Sequence, residues 1–179
     1  MFSIKACSVP DSALLARYVR KDTYTDCYRT IVSGVVSHAE YVTGFYSTSL
    51  FKLERLILGW VVHKPSTDAE AKQLAEGRID TFAAWYVESR SENQILMCDF
   101  RNRTRSWLMV APLLEDGDTR TRLYFGSAVV PVRDADSAST SLGRGYGAIL
   151  GFHKLYSKAL LCSAKTLLVA RNRQNERCL

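Results

Sequence analysis

The chain has no apolar stretch long enough to cross a bilayer. Its longer runs, such as Ile57–Val62, hold only a few residues, where a spanning helix needs about 20. The opening MFSIKACSVPDS carries one lysine and no extended apolar region, so no signal peptide and a cytoplasmic location are expected. There is no Cys-x-x-Cys. The five cysteines (Cys7, Cys27, Cys98, Cys162 and Cys178) are odd in number and widely spaced, which reads as free thiols in a reducing compartment. Metal-ligand spacing is missing as well. His38, His63 and His153 fall in unrelated segments without a neighbouring cysteine, so neither a metal nor a cofactor is expected. Gly143-Arg144-Gly145-Tyr146-Gly147 precedes a helical segment but lacks the G-x-G-x-x-G spacing and does not directly follow a strand. It reads as a linker or lid rather than a dinucleotide site. No internal repeat is present.

What remains is the composition of one folded unit. Of 179 residues, 47 % are hydrophobic, enough for a single core. The expected organisation is one domain over residues 1–171 with a frayed tail at 172–179. The net charge of +6 suits either an anionic partner or plain solubility. Much of it lies in Arg101–Arg105 and Arg171–Arg177. Neither run is interleaved with aromatics as a single-strand stacking platform requires, so nucleic acid is disfavoured as a partner.

Local signals divide the chain. Asp11–Val19 is a short helical candidate with Leu14, Leu15 and Tyr18 on one side. Tyr24–Val32 is rich in β-formers and reads as a strand. Ser37-x-x-Glu40 is a capping box for a helix through about Tyr46, and Thr67-x-x-Glu70 opens another that Gly77 stops. Between them a helix from Leu50 towards His63 is expected, closed by Pro65. Thr81–Glu88, Gln94–Phe100, Ser106–Leu113 and Thr121–Val132 read as strands joined by short polar turns. Residues 133–147 are small and polar and read as a loop. A long helix from Ala148 to Arg171 follows, with Ile149, Phe152, Leu155, Tyr156, Ala159, Leu160 and Leu167 on one broad side.

Turn chemistry sets an expected register. Two-residue loops at Asn102-Arg103 and Asp116-Gly117 would pair Met97 with Leu108, and Leu108 with Phe125. One sheet face then carries Ile95, Met97, Leu108, Val110, Leu123 and Phe125, with Asp99, Ser106 and Ser127 at one end. The opposite face carries Leu96, Cys98, Trp107, Met109 and Tyr124 with Arg105 and Arg122. It is too apolar to be wholly solvated, so either the Ser37–Gly77 helices or another subunit, as in a homodimer, would cover it. Alternation does not assign Trp85 to a face.

The order strand, helices, antiparallel strands and long final helix resembles the helix-grip fold of the START-like (SRPBCC) superfamily. The strings FKLERLILGW (51–60), RTRSWLMV (103–110), LYFGSAVVPV (123–132) and FHKLYSKALL (152–161) resemble a bacterial family known only as domain of unknown function 2867. The resemblance implies an α+β fold in which a curved antiparallel sheet wraps the C-terminal helix. It also implies a cavity between them for a small apolar or amphipathic molecule.

Asp99, Ser106 and Ser127 would supply polar contacts to such a ligand, with Leu108, Phe125, His153 and Tyr156 lining the pocket. Each has a plainer alternative. Asp99 would bond its own turn, and His153 and Tyr156 would pack their rings and satisfy one hydrogen bond. Two other functions stay open at this stage. One is a cyclase or dehydratase using Asp99 and His153 for proton transfer. The other is an interaction module that works through the second face or the arginine-rich turn.

Overall fold

A computed structural model describes residues 3–53, 66–115, 118–130 and 146–176, with backbone alone at 115, 146–154 and 172–176. The fold is α+β. Among the described residues, seven strands form one antiparallel sheet: β1 (Lys5–Ala6), β2 (Tyr24–Ser33), β3 (Thr81–Phe82), β4 (Trp85–Ser91), β5 (Gln94–Asp99), β6 (Thr104–Glu115) and β7 (Asp118–Val129). Their spatial order is β1-β2-β7-β6-β5-β4-β3. From β3 to β7 each strand lies beside the next in sequence, as hairpin connections dictate. Strand β2 then closes on β7, pairing Tyr24 with Val129 through to Ser33 with Arg120.

Among the described residues, helices α1 (His38–Tyr46), α2 (Asp68–Ala75) and α3 (Tyr146–Glu176) accompany the sheet. Both capping boxes form. The Ser37 and Thr67 side chains accept from the Glu40 and Glu70 amides, and each glutamate reaches back to the cap amide. Gly77 ends the α2 segment at φ +72°, a left-handed conformation that suits glycine. Residues 49–53 are helical, and the rest of the helix expected towards His63 lies outside the described residues. The expected loop at 133–147 lies outside them up to residue 145, and α3 starts at Tyr146. Helix α3 also runs past Arg171 to Glu176.

Helices α1, α2 and α3 pack on the first face. Tyr41, Val42, Phe45 and Tyr46 of α1, Ala71 and Leu74 of α2, and Leu160, Leu161, Ala164 and Leu168 of α3 share one core with Ile95, Met97, Leu108, Leu123 and Phe125. Its centre is aromatic. The Phe45 ring lies 5.0 Å from Phe125, and Tyr46 lies 4.8 Å from Phe51 and 5.2 Å from Phe82. Helices α1 and α3 cross closely at Gly44, where a Cβ would meet Leu168 Cδ2 at 3.3 Å. The buried stripe of α3 is Ser157, Leu160, Leu161, Ala164 and Leu168. Leu155, expected on the apolar side, is 68 % exposed. The helix is rotated from the broadest reading of its wheel because it packs on α1 as well as on β2.

Among the described residues of the Ser37–Gly77 segment, α1, Leu50, Phe51 and α2 pack on the first face rather than the second. On the second face lies an N-terminal strap ending in a 3-10 helix, Leu14–Tyr18. Ala13 and Leu15 bury themselves with Cys27, Leu96, Trp107, Met109, Tyr124 and Ala128. Gly126 makes room for the strap, since a Cβ there would lie 2.7 Å from Leu15 Cδ2.

Two strand readings are corrected. The Thr81–Glu88 strand divides into β3 and β4, with Phe82 opposite Trp85 across Ala83-Ala84 and Ala83 at φ +52°. The β5–β6 turn is longer than two residues, so Met97 pairs with Ser106 rather than Leu108, while Leu108 does pair with Phe125. A slip of two residues keeps every side chain on its face, so the face assignments hold despite the wrong register. Trp85 packs against the first-face core.

Candidate functional site

Strand pairing gathers a polar row at one end of the first face. Asp26 of β2 stands opposite Ser127 of β7, which stands opposite Ser106 of β6. Asp26 Oδ1 accepts from the Ser127 amide at 3.1 Å and from its hydroxyl at 2.6 Å. The Tyr24 hydroxyl donates to the other carboxylate oxygen at 3.3 Å. Ser127 is buried and Ser106 half-buried. Asp26 was missed because its place in the row depends on β2 joining β7. Alternation along YTDCYRTIV puts it on one face with Tyr28, Thr30 and Val32, which was the available signal.

Asp99 takes its plainer role. Its Oδ1 accepts from the Arg103 and Thr104 amides at 2.7 and 3.0 Å, tying down the β5–β6 turn where Asn102 holds φ +58°. Leu108 and Phe125 are buried in the core, with Phe45 of α1 against Phe125. Tyr156 is half-buried and packs on the same core. The His153 side chain lies outside the described residues.

Two hydroxyls in this interior have no partner among the described residues. Thr30 Oγ1, on β2, belongs to a residue 2 % exposed, and Ser157 Oγ, on α3, to one 1 % exposed. Helix α3 packs on β2, and Lys158 places its ammonium 5.6 Å from the Tyr28 ring centroid. An unmet buried hydroxyl costs about 1–3 kcal/mol, so each implies an unseen partner or a retained penalty.

His38, at the start of α1, is 9 % exposed, and its Nε2 has no partner among the described residues. Burial, and next the Arg90 guanidinium, lowers its pKa to about 4 against an opposing hydrogen bond to the Leu108 backbone. It stays neutral at physiological pH.

A charged cluster lies on the opposite face. Glu88 occupies a bulge in β4, between Val87 paired with Met97 and Ser89 paired with Leu96. Its carboxylate accepts from Arg105 Nε at 2.9 Å and from the Tyr18 hydroxyl at 2.6 Å, with Arg105 stacked 4.8 Å from the Tyr18 ring centroid. Beside it Gln94 pins the strap. Its Oε1 accepts from Leu14 N and Trp107 Nε1, both at 2.9 Å, and its Nε2 donates to Ser12 O at 3.1 Å. This cluster is satisfied from within and clasps the strap.

Among the described residues no group of three or more His, Cys, Asp or Glu is placed to hold a metal ion. No helix among them is long and apolar enough to cross a membrane. No protein-family model matches the chain, and no curated protein matches it either.

Proposed function

We propose that the protein binds a small, largely apolar molecule between the first sheet face and α3, in the manner of the helix-grip proteins that its element order resembles. The observation carrying this reading is the pair of unmet hydroxyls, Thr30 Oγ1 and Ser157 Oγ, on the strand and helix that pack together. A ligand with one or two polar atoms in an apolar body would satisfy such groups and bury the rest of its surface. The Asp26–Ser127–Ser106 row supplies further acceptors and hydroxyls at one end of the same face. Leu108, Phe125 and Tyr156 contribute apolar wall, and kinship with the START-like superfamily is part of the proposal.

Native mass spectrometry of protein purified from its own host, together with thermal-shift screening against lipids, isoprenoids and aromatic polyketide-like compounds, tests the reading. The variants Thr30→Val and Ser157→Ala give the sharper result. Without a ligand each is expected to leave stability unchanged or raise it by about 1 kcal/mol, because an unmet hydroxyl is removed. Each is also expected to weaken binding of the co-purifying molecule. Unaltered affinity in both variants, or no ligand from the native host, removes the proposal.

A further inference from the structure

The first strand brings together two of the five cysteines. Lys5 pairs with Arg29 and Ala6 with Tyr28, so Cys7 falls opposite Cys27, and its amide donates to Cys27 O at 3.0 Å. The two sulfurs are 3.4 Å apart, while a disulfide needs about 2.05 Å. A shift of roughly 1.4 Å at the side chains would close the bond. Strand β1 is only two residues long and comes first in the sheet order, so it has little pairing to resist such a shift.

The two thiols differ in access and charge. Cys27 is buried at 4 % exposure, whereas Cys7 is half-buried. The hydrogen bond with Cys27 is the main influence lowering the Cys7 pKa to about 7, helped by Arg29 and Arg122 and opposed by burial. The same contact and burial push the Cys27 thiol up. Arg29 pairs across to Tyr124, and Arg122 to Ile31, which sets two guanidinium groups on the strands beside the cysteines. A half-buried thiolate near two cations, backed by a protonated buried thiol, is the arrangement of an attacking and a resolving cysteine.

We propose that Cys7 and Cys27 form a redox dithiol that exchanges with an acidic low-molecular-weight disulfide of the oxidised-glutathione class. The Cys7 thiolate attacks one sulfur of the small disulfide, forming a mixed disulfide and releasing one small thiolate. That thiolate takes the Cys27 proton. The Cys27 sulfur then attacks Cys7, closing the internal disulfide and releasing the second small thiolate, which takes a proton from solvent. Overall two protein thiols are oxidised and one small disulfide is reduced to two thiols. Arg29 and Arg122 favour a disulfide bearing carboxylates over a neutral or cationic one. The product staples the strap to β2 at its first residues.

The experiment uses the reduced protein with oxidised glutathione, followed by alkylation and non-reducing peptide mapping. The expected product is a Cys7–Cys27 cross-linked peptide, with Cys98, Cys162 and Cys178 alkylated. The rate should rise with pH through an inflection near 7 and be several-fold slower with cystamine. Cys7→Ser should abolish the reaction, and Cys27→Ala should stall as a glutathione adduct on Cys7. Arg122→Gln should slow oxidised glutathione more than cystamine, which keeps the proposal testable if Cys27→Ala fails to fold. A wild-type adduct that never resolves, or a Cys7→Ser protein that still reduces glutathione disulfide, overturns it.

Discussion

Among the described residues, helices α1, α2 and α3 pack on the first face of the sheet, and a strap of a few residues packs on the second. The first cover uses area: Tyr41, Phe45, Tyr46 and Phe51 interlock with Phe82 and Phe125, and the polar groups caught among them are few. A strap cannot bury comparable area, and this one is fixed by placed polar contacts to Gln94, Glu88 and Arg105. Area is nondirectional and tolerates an unmet hydroxyl such as Thr30 Oγ1 at a modest penalty. A clasp works only when each partner is present, because a half-satisfied buried network costs more than an apolar one.

The contrast can be broken most severely at Phe45. Phe45→Ala is expected to cost about 4 kcal/mol and to lower the urea midpoint of the whole cooperative transition, since that ring touches α1, residue 51 and β7 together. A titration separates the faces next. The folded pKa of His38, about 4, lies below its ordinary 6.5, so on acidification the unfolded chain takes up this proton first. Stability from this group is complete above pH 6.5 and is lost as pH falls from 6.5 towards 4, by up to about 3 kcal/mol. Urea midpoints measured across that window should show a steeper fall in wild type than in His38→Gln. Equal slopes would remove the assignment.

Smaller effects should stay local. Gln94→Leu leaves Trp107 Nε1 and the Leu14 amide without their acceptor and is expected to cost about 2 kcal/mol. Amide exchange should quicken at Leu14–Val19 well before it does in β2 and β7. If the core strands loosen equally, the strap is not a separate unit. The smallest change is a gain: Ala83→Gly removes a left-handed alanine from the β3–β4 turn and should stabilise by about 1 kcal/mol in the same denaturation assay.

Much of this architecture was legible wherever the signal is short-range. Both capping boxes, the Asp116-Gly117 register and the alternation of β5, β6 and β7 depend on residues a few positions apart. The β4 bulge was not legible. Alternation from Tyr86 would put Ser89 and Arg90 on the wrong faces; Glu88 takes up the extra position, so Ser89 faces Arg17 on the strap and Arg90 donates to Leu74 O of α2. The rotation of α3 was hidden for a similar reason. A wheel drawn for one flat surface cannot foresee that the helix also leans on α1 at Gly44, which leaves Leu155 in solvent. At the candidate site, Ser106 and Ser127 could be read as neighbours from the hairpin alone. Asp26 and Thr30 needed a β2–β7 pairing, which joins Asp26 to Ser127 across 101 positions of the chain.

By itself the sequence determined the element boundaries that caps and turns encode, the two faces of the central strands, and the apolar mass that makes one core. Tertiary structure alone decided which described segment covers which face, that Asp26 meets Ser127, that Thr30 and Ser157 lie buried without partners among the described residues, and that Cys7 lies against Cys27. Backbone propensity acts over a turn or a pair of neighbours. Those later facts follow from contacts between segments distant in the chain, and such contacts form only when competing ways of burying the same apolar surface have been settled against one another.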